Sequence, residues 1–271
     1  MDVSIIIPVF NQVHFTKICI ESLQATLPGN CEIIVVNNGS SDGTAEYLLG
    51  CSNVNVITNK ENLGCAAAWN QGVKASHAPW VVMLNNDLIL SANWLEGILD
   101  FARERELDIV SPAFREGQYN YDIAEYSRQF VKRMQSVARI GVAQGICFMV
   151  SRRVFHRIGM FDENFKFGQF EDADFFRRAR LAGFVLGTTG RSFIHHFGSV
   201  TQDSIRGERA SRTYEHENRV YFRKKYGLTI WKRFLERRST KVKAFWWRIW
   251  EKTLYDDTLI EKWIDGRLRY F

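Results

Sequence analysis

The chain is predicted to be an α/β protein with a mostly parallel central sheet flanked by helices, and three observations predict it. Short apolar runs rich in β-branched residues recur at 3–7, 32–36, 54–58 and 80–84, the pattern of strands buried on both faces. Helical spacing follows each of the first three, so strand and helix alternate about every 25 residues. The loops after the strands, at 8–12, 37–42, 59–64 and 85–88, are polar and rich in Asn, Gly, Ser and Asp. In a right-handed βαβ sheet such loops converge on one edge, where open α/β sheets hold ligands.

The elements follow in order. The first strand is expected to stop at Pro8, which cannot donate to a ladder. A helix over 14–25 carries Ile18, Cys19 and Leu23 on one side. The second strand ends in Asn37-Asn38-Gly39-Ser40-Ser41-Asp42-Gly43, a turn that offers backbone N–H groups and leads into a helix at 43–49. An Ala-rich helix at 65–75 separates the third strand from the fourth. Beyond residue 90 the spacing predicts a helix at 92–105, a strand at 108–111, a strand at 145–150 and a helix at 151–158. A turn-rich loop from Gly159 to Gly168 precedes a helix at 171–182 closed by Gly183. A last short strand is expected at 184–187, and residues 115–140 follow no clear period. After 207 the chain reads as helices.

Composition narrows the class. Of 271 residues 46% are hydrophobic, enough for a full core, which argues against disorder. The five cysteines show no Cys-x-x-Cys spacing and read as buried thiols rather than as disulfides or zinc ligands. No basic segment followed by an apolar stretch opens the chain, and no run approaches the ~18 apolar residues of a membrane span. A cytoplasmic location is therefore expected. The net charge of +6 is uneven: residues 202–271 hold 18 Lys and Arg against 10 Asp and Glu, a balance of +8, so the rest of the chain is slightly acidic.

Two features carry chemistry. Asp87 closes an Asn85-Asn86-Asp87 turn directly after a buried strand, and Glu171, Asp172 and Asp174 crowd the start of a helix. Neighbouring like charges raise one another's pKa, as a general base requires, whereas an acidic first turn also stabilises a helix through its dipole. Together they point to metal-assisted group transfer with a carboxylate base.

Seven motifs occur in order between residues 3 and 201. They are Ser4-Ile5-Ile6-Ile7-Pro8-Val9-Phe10-Asn11; Ile34-Val35-Val36-Asn37-Asn38-Gly39-Ser40-Ser41-Asp42-Gly43-Thr44; Asn59-x-x-Asn62-x-Gly64; Leu84-Asn85-Asn86-Asp87; Gly159-Met160-Phe161-Asp162-Glu163; Glu171-Asp172-Ala173-Asp174; and His195-His196-Phe197-Gly198-Ser199. Together they resemble the GT-A fold, family 2 glycosyltransferases. The resemblance implies inverting transfer of a sugar from a nucleoside diphosphate to an acceptor hydroxyl, with Mn2+ or Mg2+. It implies that Pro8, Val9, Phe10, Asn11, Asn37, Asn38, Ser40, Asn62, Gly64, Asn85 and Asn86 bind the donor, with Asn37 facing a pyrimidine, so that a UDP- or dTDP-sugar is expected. Asp87 then matches a metal ligand, His196 (with His195 a contender) the late histidine, and Asp172 the catalytic base. Glu171 and Asp174 are structural or orient the acceptor, and Gln144 with Gly145 edges its pocket.

Two departures bear on the chemistry. Asn37 and Asn85 stand where many members carry Asp. A neutral amide accepts from a pyrimidine N3–H without charge assistance, and one fewer carboxylate leaves a metal more dependent on the donor's phosphates. The chain lacks the Gly-rich Lys/Arg phosphate loop of a nucleotidyltransferase after its first strand.

Residues 1–207 are thus read as a catalytic domain, with a nucleotide-binding half to about residue 90 and an acceptor half over 91–207. Residues 208–271 are read as a basic, aromatic helical extension. Its apolar face is expected to pack on the domain, with an anionic membrane surface as the rival partner. No motif supports nucleic acid as a partner. The acceptor class implied is a glycan, a glycolipid or a protein hydroxyl; a catalytically silent nucleotide-sugar- or glycan-binding module is the non-enzymatic rival.

Overall fold

The computed structural model describes residues 2–198 and 213–271. The boundary expected at 207/208 and the Ser199 motif position lie outside the described residues. The first half alternates as expected: β1 (Val3–Val9), α1 (Val13–Thr26), β2 (Cys31–Asn38), α2 (Thr44–Leu49), β3 (Asn55–Asn59), α3 (Cys65–Ala75) and β4 (Trp80–Leu84). β3, β2, β1 and β4 lie side by side, all parallel. β1 runs through Pro8 instead of stopping there. Its pairing with β4 ends at Ile6, so on that side Pro8 has no ladder bond to break.

The second half is mixed. It comprises β5 (Leu88–Leu90), α4 (Trp94–Glu104), β6 (Ile109–Glu116), α5 (Ile123–Met134), β7 (Ala138–Ile140), β8 (Cys147–Ser151), α6 (Arg152–Ile158), α7 (Glu171–Leu181) and β9 (Leu186–His196). β8 inserts antiparallel between β4 and β6, while β9 runs parallel to β6 and carries β5 and β7 on its other side. The strand expected at 184–187 is therefore an eleven-residue one that places both histidines in the sheet. The unassigned stretch 115–140 contains α5, capped by the Asp122 carboxylate on the Ala124 and Glu125 N–H groups.

Helices cover both faces. Ile5, Ile7 and Val9 point to a core shared with α1 and α4, and Ile6 to one shared with α3, α6 and α7. Gly72 of α3 lies so close to β1 that a Cβ there would collide with the Ile6 side chain.

The C-terminal region differs most from expectation. After α8 (Thr213–Lys225) and α9 (Ile230–Tyr255), β10 (Ile260–Ile264) and β11 (Arg267–Tyr270) form a hairpin that extends the sheet. β10 pairs parallel to the end of β6, giving the order β11-β10-β6-β8-β4-β1-β2-β3. Three ion pairs fasten this region. Arg139 grips Glu251 through two bonds of 2.7 and 2.8 Å, Arg115 meets Glu261 at 2.8 Å, and Arg133 meets Asp257 at 2.6 Å. Both members of the first two pairs are buried. The packing expectation for the long helix is corrected in one respect: α9 packs through Glu251, while Trp231, Phe234, Leu235, Val242, Phe245, Trp246 and Ile249 face outward.

Candidate active site

A cleft of about 430 Å3 opens at the carboxyl ends of β1, β2 and β4. Of the residues singled out in the sequence, Pro8, Val9, Phe10, Asn38, Asn62, Asn85, Asp87, Gln144, Gly145, Glu171, Asp172 and His196 line it. Asn11, Asn37, Ser40, Gly64, Asn86, His195 and Asp174 do not line it.

The loops after β1, β2 and β3 are held by amides. Asn38 Nδ2 donates to Asn62 Oδ1 and to the Gly64 carbonyl, while its Oδ1 accepts from Asn59 Nδ2 and the Leu63 N–H. One buried side chain thus ties the second loop to the third. Asn11 and Ser40 clasp the first loop to the second: the Asn11 N–H donates to Ser40 Oγ, and the Ser41 N–H to Asn11 Oδ1. The Asn37 oxygen, expected to face a pyrimidine, already accepts the Ser40 N–H at 3.1 Å. Asn86 Nδ2 reaches back to Thr16 on α1.

The charged end of the cleft is a chain of alternating partners. His196 Nε2 lies 3.4 Å from Asp87 Oδ2, and its Nδ1 lies 3.1 Å from Glu116 Oε2. Glu116 Oε1 in turn accepts from Lys262 Nζ at 2.8 Å. Burial alone would lower the His196 pKa, but Asp87 and Glu116 outweigh it and hold it at about 9. Burial would likewise raise Glu116, yet His196 and Lys262 hold it down at about 2. His195 points elsewhere. Its Nδ1 meets the Tyr121 hydroxyl at 3.0 Å, Tyr119 and Phe197 pack on its ring, and burial pushes its pKa down to about 4.

The residues present fit a divalent cation. Two ligands about 2.1 Å from one ion lie about 3–3.4 Å apart, the spacing of Asp87 Oδ2 and His196 Nε2. A carboxylate on the far ring nitrogen is the usual way to orient a ligating histidine, and Glu116 is so placed. Binding there displaces the His196 proton. No group of three His, Cys, Asp or Glu that could enclose a metal occurs among the described residues.

To the same cleft α7 presents Asp172 in its first turn. The Ala173 N–H donates to Asp172 Oδ1 at 2.7 Å, and Gly145 lies against the other oxygen, where a Cβ would collide with the carboxylate. Burial raises the Asp172 pKa. Burial and the adjacent Asp172 charge raise that of Glu171, whose Oε2 is buried without a hydrogen-bond partner. Asp174 is structural: Arg178 Nε, the Tyr226 hydroxyl and Lys225 Nζ all bind it, joining α7 to the α8 end. The loop before α7 has left-handed backbone at Phe167, Gln169 and Phe170, and Asn218 of α8 holds it by donating to the Lys166 and Gly168 carbonyls.

Sequence reasoning missed Glu116 and Lys262, whose strands become neighbours only through long-range pairing. It also missed Cys65, Phe114, Ile146, Phe167 and Gln169 in the cleft wall, which the buried Trp69 also touches.

Comparison with known proteins follows the same lines. The fold is similar to that of S. aureus TarS 1-349, with a TM-score of 0.58 at 17% identity over 73% of this chain and 61% of that one. It is likewise similar to GalNAc-T7 crystallised with UDP, GalNAc and Mn2+, with a TM-score of 0.59 at 15% identity over 72% and 44%. At these identities the likeness shows the fold, which is the GT-A fold expected. An uncharacterized glycosyltransferase of Rickettsia typhi is 30% identical over 176 residues, 61% of this chain and 55% of that protein. Glycosyltransferase AglE of Haloferax volcanii is 25% identical over 242 residues, 84% and 79%. The chain thus spans about half the length of the Rickettsia relative. Residues 4–165 match the model of glycosyl transferase family 2. That match takes in the strand-end loops, Asp87 and more than half of the chain, which therefore belongs to glycosyl transferase family 2.

Proposed function

We propose that the chain transfers a sugar, with inversion, from a UDP- or dTDP-linked donor to an acceptor hydroxyl. The observation that carries this reading is that Asp87 and Asp172 line one cleft. Asp172 accepts the proton of the acceptor hydroxyl as its oxygen attacks the anomeric carbon; burial, which raises its pKa, suits it to that task. Gly145 leaves room for the carboxylate. Asp87 and His196 would hold Mn2+ or Mg2+, which when bound offsets the charge of the departing diphosphate. The amide-tied loops at Asn38 and Asn62 form the donor wall. Slow hydrolysis of a UDP- or dTDP-sugar in Mn2+, without acceptor, is the expected activity; protein that binds such donors but never turns them over supports the silent module.

The acceptor we propose is a cell-surface glycan, its lipid-linked form favoured by α9. This helix carries eight Lys and Arg against two Glu. Trp231, Leu235, Val242, Phe245 and Ile249 follow one another at three, four or seven residues, on the side opposite the buried Glu251. An outward apolar stripe bordered by cations suits an anionic membrane surface, whereas two such helices from separate copies would repel. Among the described residues no helix is long and apolar enough to cross a membrane, so the contact proposed is peripheral.

A further inference from the structure

Four carboxylic side chains, Asp87, Glu116, Glu171 and Asp172, line the cleft, which on the reading above must also admit a negatively charged diphosphate. Asn85 supplies no charge to a metal. Among the described residues lining the cleft, Lys262 is the only lysine or arginine. It lies outside residues 4–165, which the family model matches, on the strand β10 that the C-terminal region adds to the sheet.

Strand register determines where this side chain goes. Lys262 stands opposite Glu116 in the β10–β6 pair, and Glu116 stands opposite His196 in the β6–β9 pair. Residues in register across neighbouring strands share a face, so the three form a row that ends beside Asp87. The bonds along it are 2.8 Å from Lys262 to Glu116 and 3.1 Å from Glu116 to His196. The preceding residue points the other way. Glu261 is buried on the opposite face, where Arg115 and the Tyr126 hydroxyl bind it. That anchor keeps β10 in register and presents Lys262 to the cleft, where its side chain remains one-third exposed. An ammonium group has three N–H donors, and Glu116 takes one.

We propose that Lys262 binds the donor's diphosphate, so that the C-terminal hairpin completes the nucleotide-sugar site. The assignment rests on the donor reading given above. Lys262 then supplies, from outside the family core, positive charge that a metal motif with Asn85 provides less firmly. The competing view is that Lys262 only braces Glu116 and, through it, His196. A brace acts through the Asp87–His196 pair and so weakens the diphosphate only in Mn2+, whereas a phosphate contact weakens it in EDTA as well and spares the nucleoside.

The test is calorimetric titration of the full chain with UDP, dTDP and the nucleosides uridine and thymidine, in Mn2+ and again in EDTA, with unfolding midpoints recorded in parallel. Lys262→Met keeps the aliphatic stem and removes the charge; Lys262→Gln is the second variant should the first fold poorly. The expected result is about tenfold or greater loss of affinity for the diphosphate that wild type prefers, with nucleoside affinity and unfolding midpoint unchanged. Lys262→Arg should retain most of the affinity. Equal loss for nucleotide and nucleoside, no loss for either, or a loss confined to Mn2+ overturns the assignment and leaves the donor reading intact. Wild-type protein that binds neither diphosphate more tightly than its nucleoside overturns the donor reading and the assignment with it.

Discussion

Asp172 carries its carboxylate on the first turn of α7 beside buried Glu171, and burial raises the pKa of both. A base acts deprotonated, so a raised pKa moves the acidic limb of the kcat/KM profile above the usual carboxylate range, and activity rises as pH passes through it. Burial raises Asp172, while burial and the Asp172 charge together raise Glu171; Glu171 is therefore still protonated while Asp172 ionises, and Glu171→Gln should leave that limb in place. A limb that moves to lower pH in the variant would contradict this order of ionisation. Gly145 makes a second, steric statement. Gly145→Ala forces the Asp172 carboxylate aside, and a misplaced base costs about a hundredfold in kcat. Donor affinity measured by titration should not change, because the donor wall lies on the other loops.

Elements were legible in the sequence to the extent that their partners lay nearby. The run from β1 to β4 could be read because each strand pairs with one close in sequence or reached by a single crossover. α5 could have been read from Ile123, Tyr126, Phe130 and Met134, but the Gln, Lys, Arg and Glu between them hid its period. The hairpin β10–β11 gave no such chance, since Glu261 and Lys262 look like surface charges until they meet Arg115 and Glu116, each 146 residues away in sequence. A separation of 80 residues likewise hid Glu116 as a partner of His196, whereas Asp87, His196 and Asp172 stood in motifs and could be picked out. Arg139 shows how strongly the C-terminal region is joined to the sheet. Arg139→Met leaves Glu251 buried without its partner, which should lower stability by about 3–5 kcal/mol. Urea unfolding at constant m-value is the measurement; a loss under about 1 kcal/mol would mean that the pair is no anchor.

For the whole molecule, the sheet joins three features in one body: the strand-end loops of β1 to β4, the proposed base on α7, and a basic helix whose apolar side faces outward. The last arrangement predicts sedimentation with vesicles containing anionic lipid, little with neutral ones, and weakening as salt rises. The double variant Trp231→Ala, Trp246→Ala should abolish it without lowering the unfolding midpoint, because both side chains are exposed, at 76% and 63%. Equal binding to neutral and anionic vesicles, or a dimer that buries the same face, would reject the membrane assignment. The central claim is narrower: Asp87 serves the donor and Asp172 serves the acceptor, across one cleft. It is tested most directly by titrating the preferred nucleotide sugar into Asp87→Asn and Asp172→Asn in Mn2+, alongside single-turnover transfer. The account predicts opposite outcomes, with Asp172→Asn binding donor like wild type and transferring nothing, and Asp87→Asn losing the Mn2+-dependent part of donor affinity. Donor binding lost in Asp172→Asn, or transfer preserved in it, would contradict the account.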